Sequence, residues 1–341
     1  MWLEPCYLDF TMKFLHVNDA ASVAKSLVKL RKFLGVRDFR APIPPRVLKI
    51  RPAKYYWNIS VWRIASKISR FFGFTLHIHG AHLHKFMLSL DRPFVLHIHG
   101  SDVRGFDEAG RTIAKVNQST SEAILKASLV FYSTPDLSPH VREIRPDAIW
   151  LPNPIPVRFK NLEQICQSPN ESKFADIFFP HAWNDSKGVD LVLKLVKDLK
   201  KIGGLQSNLK IIGLAIGDRQ LEAREAGFLL VAPVSESRHV NRMKNSRIVL
   251  GQGTGIISVT DLLGIASGAN VILFPLESET VLAYGLSQNL TSYGDVLEEV
   301  TRMLGGDNSQ SLSQLKQQVI QKHSNDYVSL ILRNSYRLLE S

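Results

Sequence analysis

Two copies of one pentapeptide, Leu-His-Ile-His-Gly at 76–80 and 96–100, gather the residues most able to do chemistry. Six of the eleven histidines fall between His77 and His99. Imidazole exchanges a proton near neutral pH and also ligates metals, so both uses have to be weighed. His77 and His79 share one face of a strand, as do His97 and His99, and neighbouring strands would bring the four together. No carboxylate or cysteine completes a ligand spacing, so the pattern calls for no metal. Position favours another use. Ligands of open α/β sheets lie beyond the carboxyl ends of the strands. His99, followed by Gly100, Ser101 and Asp102, is therefore read as a polar group presented at such an end, with other histidines of the set as structural residues.

A second group of candidates lies further on. Ser186-Lys187-Gly188-Val189-Asp190 opens a helix, and a lysine beside the free N–H groups of a helix start is suited to a nucleotide diphosphate. A solvated lysine is the plain alternative. Gly251-Gln252-Gly253-Thr254-Gly255 follows a strand and precedes a helix, so its backbone can approach a phosphate closely. Asp261, seven residues after Thr254, offers an acceptor for a ribose hydroxyl.

The elements that must position these groups follow from the pattern. Phe74-Thr75-Leu76 and Phe94-Val95-Leu96 lead into the two pentapeptides as strands, and Ala81 to Leu90 has helical spacing between them. The two strands are therefore parallel neighbours joined by a crossover. Before them stand a first strand at Met12 to Val17 and a helix capped by Asn18-Asp19 that ends at Gly35. A basic, aromatic segment follows from Lys49 to Phe72, in which Trp57, Val61, Ile64, Ile68 and Phe72 form one stripe and Arg63, Lys67 and Arg70 lie to the other side. The plain reading packs that stripe into the layer; the sharper one rests the helix on an anionic membrane, with Tyr55, Tyr56, Trp57 and Trp62 at head-group level. Ala109 to Ala127 reads as a long helix, Leu129 to Tyr132 as a strand and Ala148 to Leu151 as a last short strand, ending at Pro152-Asn153-Pro154. After that linker, strands at 176–180, 209–214, 228–234, 247–251 and 270–274 alternate with helices, the mark of a second doubly wound sheet. Two such domains around a cleft are expected, spanning 1–154 and 155–322. A helix over 323–341 would pack back on the first domain.

Composition narrows the classes. At 341 residues, with 45% hydrophobic and no apolar run near 18, the chain suits two globular domains without a membrane span. Cys6 and Cys166 fit no disulfide or metal spacing, and the N-terminus lacks a signal-peptide pattern, which together point to the cytoplasm. The net charge of +11 is one-sided, for residues 1–160 hold 24 Lys+Arg against 12 Asp+Glu, and 161–341 hold 18 against 19. The first half thus carries +12 and faces something anionic. No RNA or DNA motif accompanies that charge, so no nucleic-acid partner is expected.

The ordered set of segments resembles the GT-B glycosyltransferases of the family 4 type, in the flavour of archaeal and bacterial members. It comprises the opening strand and helix, His99-Gly100-Ser101-Asp102, Ser133-Thr134-Pro135-Asp136, Leu151-Pro152-Asn153-Pro154, Lys187-Gly188 and Asp261 to Gly268. The resemblance implies two Rossmann-like domains facing across a cleft and transfer of a hexose, with retention, from a nucleoside diphosphate sugar, without a metal or other cofactor. It assigns the sugar contact to His99, the leaving diphosphate to Lys187 and the ribose to Asp261. Gly100, Ser101, Asp102, Ser133, Thr134, Asn153, His181, Gly253, Thr254 and Gly255 complete the expected binding set. Two departures stand out. The paired glutamates of the family are replaced by Thr254 and Asp261, and Pro180-His181-Ala182-Trp183 holds no arginine ahead of the lysine, a place that His181 would partly fill. The partners implied are a nucleotide sugar, a glycan or polyprenyl-linked acceptor and an anionic surface at the inner face of the membrane. A domain of the same fold that binds but no longer catalyses is the alternative.

Overall fold

The computed structural model describes residues 12–18, 23–33, 36–41, 51–100, 102–106, 112–155, 173–202, 209–286, 292–306 and 313–339. Ser101, both cysteines, Asp19, Gly35 and the 42–50 segment lie outside them, as do the side chains of Tyr55, Tyr56 and Trp57. The described chain is α/β, with parallel sheets of six and five strands.

One compact unit groups Met1–Gly105, Ile113–Pro154 and Asn325–Ser341. Its sheet runs β2 (Phe39–Arg40), β1 (Phe14–Val17), β3 (Thr75–His79), β4 (Phe94–Ile98), β7 (Leu129–Tyr132) and β8 (Ile149–Trp150), all parallel. The register pairs His16 with His77 and His79 with His97. Because side chains alternate, Leu76, Ile78, Leu96 and Ile98 point to one layer and the histidines to the other. The first layer is closed by α2 (Arg51–Phe71), α3 (His84–Leu88) and α4 (Gln118–Lys126). On the second, α1 (Val23–Phe33) and the Asn325–Arg337 helix pack Leu27, Leu30, Val328, Leu332 and Tyr336 against Phe14, Val95 and Phe131.

Two sequence expectations are corrected here. The long helix over Ala109 to Ala127 starts only at Gln118, because Asn117 caps it by accepting from the Thr120 N–H at 2.9 Å. Before that cap, β6 (Thr112–Ala114) pairs with β5 (Arg104–Phe106), which suits the β-branched Thr112-Ile113. The stripe on α2 divides: Val61 packs against the core, whereas Ile64, Ile68 and Phe72 face outward. The helix packs through Trp62, Ala65 and Ser69, all buried, with Trp62 6.0 Å from the Phe86 ring, so Trp62 is a core residue and not a head-group contact.

The other unit groups Phe106–Thr112 and Ile155–Ser324. Its sheet order is β11 (Leu229–Val231), β10 (Ile211–Leu214), β9 (Ala175–Phe179), β12 (Ser246–Leu250) and β13 (Val271–Ile272), again all parallel. The amphipathic Val189–Lys201 helix buries Val189, Val192, Leu193, Leu195, Val196 and Leu199 against this sheet. Trp183, fully buried, closes the core beyond β9 and donates from Nε1 to the Leu214 carbonyl at 2.8 Å.

Candidate functional site

In the unit built on β9, the sheet order reverses between β9 and β12, and a ligand crevice of a doubly wound sheet forms at such a switch point. Two loops leave the strand ends there. The loop after β9 carries His181 and the short turn Asp185–Lys187, and that after β12 carries Gly251 to Gly255. They touch backbone to backbone, with the Gly253 N–H donating to the Lys187 carbonyl at 2.8 Å. Gly188, at φ 62°, opens the Val189–Lys201 helix with no side-chain cap. A Cβ on Gly188 would overlap the Gly253 carbonyl carbon, and one on Gly253 the Gly188 oxygen, so both glycines are required by the close approach.

Lys187 Nζ donates to Gln252 Oε1 at 3.2 Å, while Gln252 Nε2 donates to the Ile256 carbonyl at 2.8 Å. Buried Gln252 thus ties the ammonium to the glycine loop and holds it beside the start of a helix. Thr254 lies in that loop, nearly buried, with Oγ1 unpartnered among the described residues. One cation, uncapped helix amides and a backbone loop of small residues are together suited to an anion such as a diphosphate.

Asp261 has its own partners within the unit. It is fully buried; Oδ1 accepts from His181 Nε2 at 2.9 Å and Oδ2 from the Ser258 N–H at 2.8 Å. Ser258 Oγ in turn accepts from the Asp261 N–H at 3.2 Å, completing a capping box. Both carboxylate oxygens thus have one partner each within the unit, and His181 uses its Nε2 on the same carboxylate. Arg219 reaches the Lys187 turn, but its guanidinium serves Asp185, Asp190 and Glu222 at 2.9, 2.7 and 2.5 Å.

The unit built on β1 presents its own strand ends. Asn18, at φ 60°, follows β1 and donates from Nδ2 to the His79 carbonyl at 2.6 Å. Gly100, at φ 124°, follows β4, and a Cβ there would lie 2.6 Å from Arg104 Nη2. Arg104 pairs with the buried carboxylate of Asp136, and the carboxylate of Asp102 accepts from the Ala81 N–H, tying the two His-Gly loops together. Thr134 Oγ1 is buried and unpartnered among the described residues, and Asn153 is half-buried.

The histidines form a chain. His16 Nδ1 lies 3.0 Å from His79 Nε2, His79 Nδ1 lies 2.9 Å from His99 Nε2, and His99 Nδ1 lies 2.6 Å from Ser133 Oγ. Ser133 Oγ is also 3.0 Å from His97 Nε2. At the far end, His16 Nε2 is 3.5 Å from Asp38 Oδ2, which Arg31 Nε meets at 2.5 Å. Burial alone would raise the Asp38 carboxyl, yet His16 and Arg31 bring it below its ordinary value. An ionised Asp38 favours an Nε2–H on His16, and the same tautomer then propagates through His79 to His99, whose Nδ1 accepts from Ser133. Burial pushes His77, His79 and His97 well below the usual imidazole range, and with His82 nearby it brings His99 to about 3. All four rings are neutral at physiological pH. His16, His77 and His79, and likewise His79, His97 and His99, hold ligand nitrogens within 4.8 Å of one another, so spacing would admit an ion. The hydrogen bonds already use both nitrogens of His79 and of His99.

The elements therefore bring Lys187, Gly253, Thr254, Gly255, His181 and Asp261 to one sheet edge, and His99, Gly100, Asp102, Ser133 and Thr134 to another. Sequence reasoning missed Gln252, Asn18, His16 and Asp38. Gln252 carried no signal beyond its place among glycines, whereas the capping role of Asp261 was visible as Ser258-x-x-Asp261.

No family model matches the chain, and no curated protein matches it. Solved structures do. Sucrose-phosphate synthase from Thermosynechococcus elongatus superposes with a TM-score of 0.68 at 10% identity, over 96% of this chain and 99% of that one. An E. coli trehalose-6-phosphate structure bound with UDP-2-fluoro glucose gives 0.62 at 10% identity, over 94% and 98%. A mutant of S. aureus TarM in complex with fondaparinux, alpha-GlcNAc-glycerol and UDP gives 0.57 at 12% identity over 78% of this chain; the chain spans 55% of the TarM length. The fold is thus that of the GT-B glycosyltransferases, with its two parallel sheets.

Proposed function

We propose that the protein is a retaining glycosyltransferase that moves a hexose from a nucleoside diphosphate sugar to a lipid-linked or polysaccharide acceptor. The observation that carries this reading is the β9/β12 switch point, where Lys187, held by Gln252, stands beside uncapped helix amides and the Gly253–Gly255 backbone. Charge builds on the departing diphosphate as the glycosidic bond breaks, and a fixed cation with oriented amides stabilises that charge more than the ground state. The similarity to structures bound with UDP or a UDP-sugar analogue supports a uridine nucleotide as the first donor to try. The ring of His99 has both nitrogens engaged, so its role toward the sugar is to shape the strand end, with Gly100 leaving room for close approach. Ser101 and Asn153 belong to the same proposed acceptor-side set.

Radiolabelled transfer from UDP-glucose, UDP-GlcNAc and GDP-mannose to membrane lipid extracts and to polysaccharide tests the reading. Transfer from one donor that falls about a hundredfold or more in Lys187→Ala supports it; equal rates in the variant overturn the assigned site. One observation favours a second reading, a nucleotide-sugar-binding subunit without catalysis: each oxygen of Asp261 already accepts a hydrogen bond within the unit, from His181 and from the Ser258 N–H. Tight donor binding with neither hydrolysis nor transfer would select it.

A further inference from the structure

The outward stripe of α2 continues into a contiguous apolar surface. Ile64, Ile68, Phe71 and Phe72 are 59%, 48%, 84% and 63% exposed, and Phe39 on the edge strand β2 is 50% exposed. The rings are linked, for Phe71 and Phe72 lie 5.0 Å apart, Phe72 and Phe74 6.3 Å, and Phe74 and Phe39 5.2 Å, and Ile68 and Ile64 lie one and two turns before Phe72 on the same helical face. Single exposed apolar side chains are ordinary, whereas a connected group of aromatic and branched residues marks a binding surface.

Charge identifies the occupant. At 100° per residue, Lys67, Arg63 and Arg70 fall along one flank of the stripe, and all three are exposed. Arg37 and Arg40, also exposed, bracket Phe39. From Arg51 to Leu90 the sequence holds no Asp or Glu; the nearest, Asp91, pairs with Arg70 at 3.2 Å. α2 thus has three sectors: a narrow core side of Trp62, Ala65 and Ser69, an outward apolar side, and a cationic flank between them. A second copy of this surface would bring like charges together. An anionic bilayer satisfies both sectors, with acyl chains against Ile64, Ile68, Phe71 and Phe72 and lipid phosphates against the flank.

We propose that the outer face of α2, continued by Phe72 and Phe39, is a docking surface for an anionic lipid bilayer. It deepens the proposed function by naming the surface through which a lipid-linked acceptor would be met, and it rests on that reading only there. The test needs no transfer activity. The full-length protein is floated with phosphatidylcholine vesicles and with vesicles of phosphatidylcholine and phosphatidylglycerol in a 2:1 ratio, at low and high salt. Binding is expected to the anionic vesicles, weakened by salt, and reduced about a hundredfold in Ile68→Asn/Phe71→Ser, since each exposed side chain removed costs about a tenfold partition. Lys67→Glu/Arg63→Glu should remove the preference for anionic lipid. Both pairs are exposed, so an unchanged melting midpoint confirms folding. Equal flotation of wild type and the Ile68→Asn/Phe71→Ser variant, or no flotation of the wild type, overturns the proposal. So does a wild-type dimer that the same variant dissolves, with no vesicle binding. Nucleotide binding measured beside it should not change in either variant, so a failed flotation with intact donor binding sinks the surface and not the transferase.

Discussion

Acidification from pH 6.5 to pH 5 should selectively loosen the unit that carries the histidine chain. The ring of His99 is held at about 3 against an ordinary 6.5, and burial lowers His77, His79 and His97 well below that value too. The folded-state values are depressed, so below pH 6.5 the unfolded chain binds more protons, and stability present above 6.5 is lost as pH falls. Each pH unit costs about 1.4 kcal/mol for such a ring, so by pH 5 His99 alone withdraws about 2 kcal/mol, and His77, His79 and His97 act in the same direction. Even the His99 share is a sizeable part of the stability of an ordinary domain, roughly 5–15 kcal/mol. Carboxylates do not share this window, and Asp38, held below its ordinary value, titrates lower still. The unit built on β9 has one such ring, His239 at about 4, which withdraws up to about the same 2 kcal/mol over this window, against four rings in the first unit. Peptide-resolved hydrogen exchange at pH 6.5, 5.75 and 5 checks this. The opening free energy of β3 and β4 should fall by more than that of β9 and β12, where His239 beside Phe178 titrates alone among the lowered rings. An opening free energy of β3 and β4 that stays flat over the window would refute the buried neutral chain.

Three further outcomes follow from the contacts at the other sheet edge. Gly253→Ala forces a Cβ into the Gly188 carbonyl and should cost about 2 kcal/mol or more of stability together with nucleotide binding, read by urea unfolding and calorimetry. Gln252→Leu keeps the bulk but frees Lys187 Nζ from Oε1; donor affinity should weaken about tenfold with the melting midpoint shifted far less. Asp261→Ala leaves Ser258 and His181 without their acceptor, so it should destabilise the Val259–Ser267 helix by about 1–3 kcal/mol, and any loss of donor binding should track that unfolding.

Much of the fold was legible because alternation is a local property. The β4 run Phe94–Ile98 and the Val189–Lys201 helix each carry their period in the sequence and lie where it puts them. The direction in which α2 faces was not legible. Ile64, Ile68 and Phe72 of its stripe are exposed while Trp62, Ala65 and Ser69 are buried, and small or polar residues such as Ala65 and Ser69 leave little trace in a hydrophobic pattern. Strand ends were likewise readable, since Gly80, Gly100 and the Gly251–Gly255 loop mark them, so Lys187 and His99 emerged as candidates. What those side chains touch depends on residues distant in sequence. His99 meets His79 and Ser133, and Asp261 meets His181 across 80 positions, a partnership that no local spacing encodes. The Ser258-x-x-Asp261 capping pattern was the one available clue, and it competes directly with the ribose role.

A diphosphate site at the β9/β12 switch point is tested most directly by calorimetric titration of UDP and GDP into the wild type and Lys187→Ala. Saturable binding of one nucleotide to the wild type is expected, weakened at least about tenfold in the variant, as loss of one charge-assisted contact implies. Nucleotide binding of equal strength in both proteins, or none in the wild type, would contradict it.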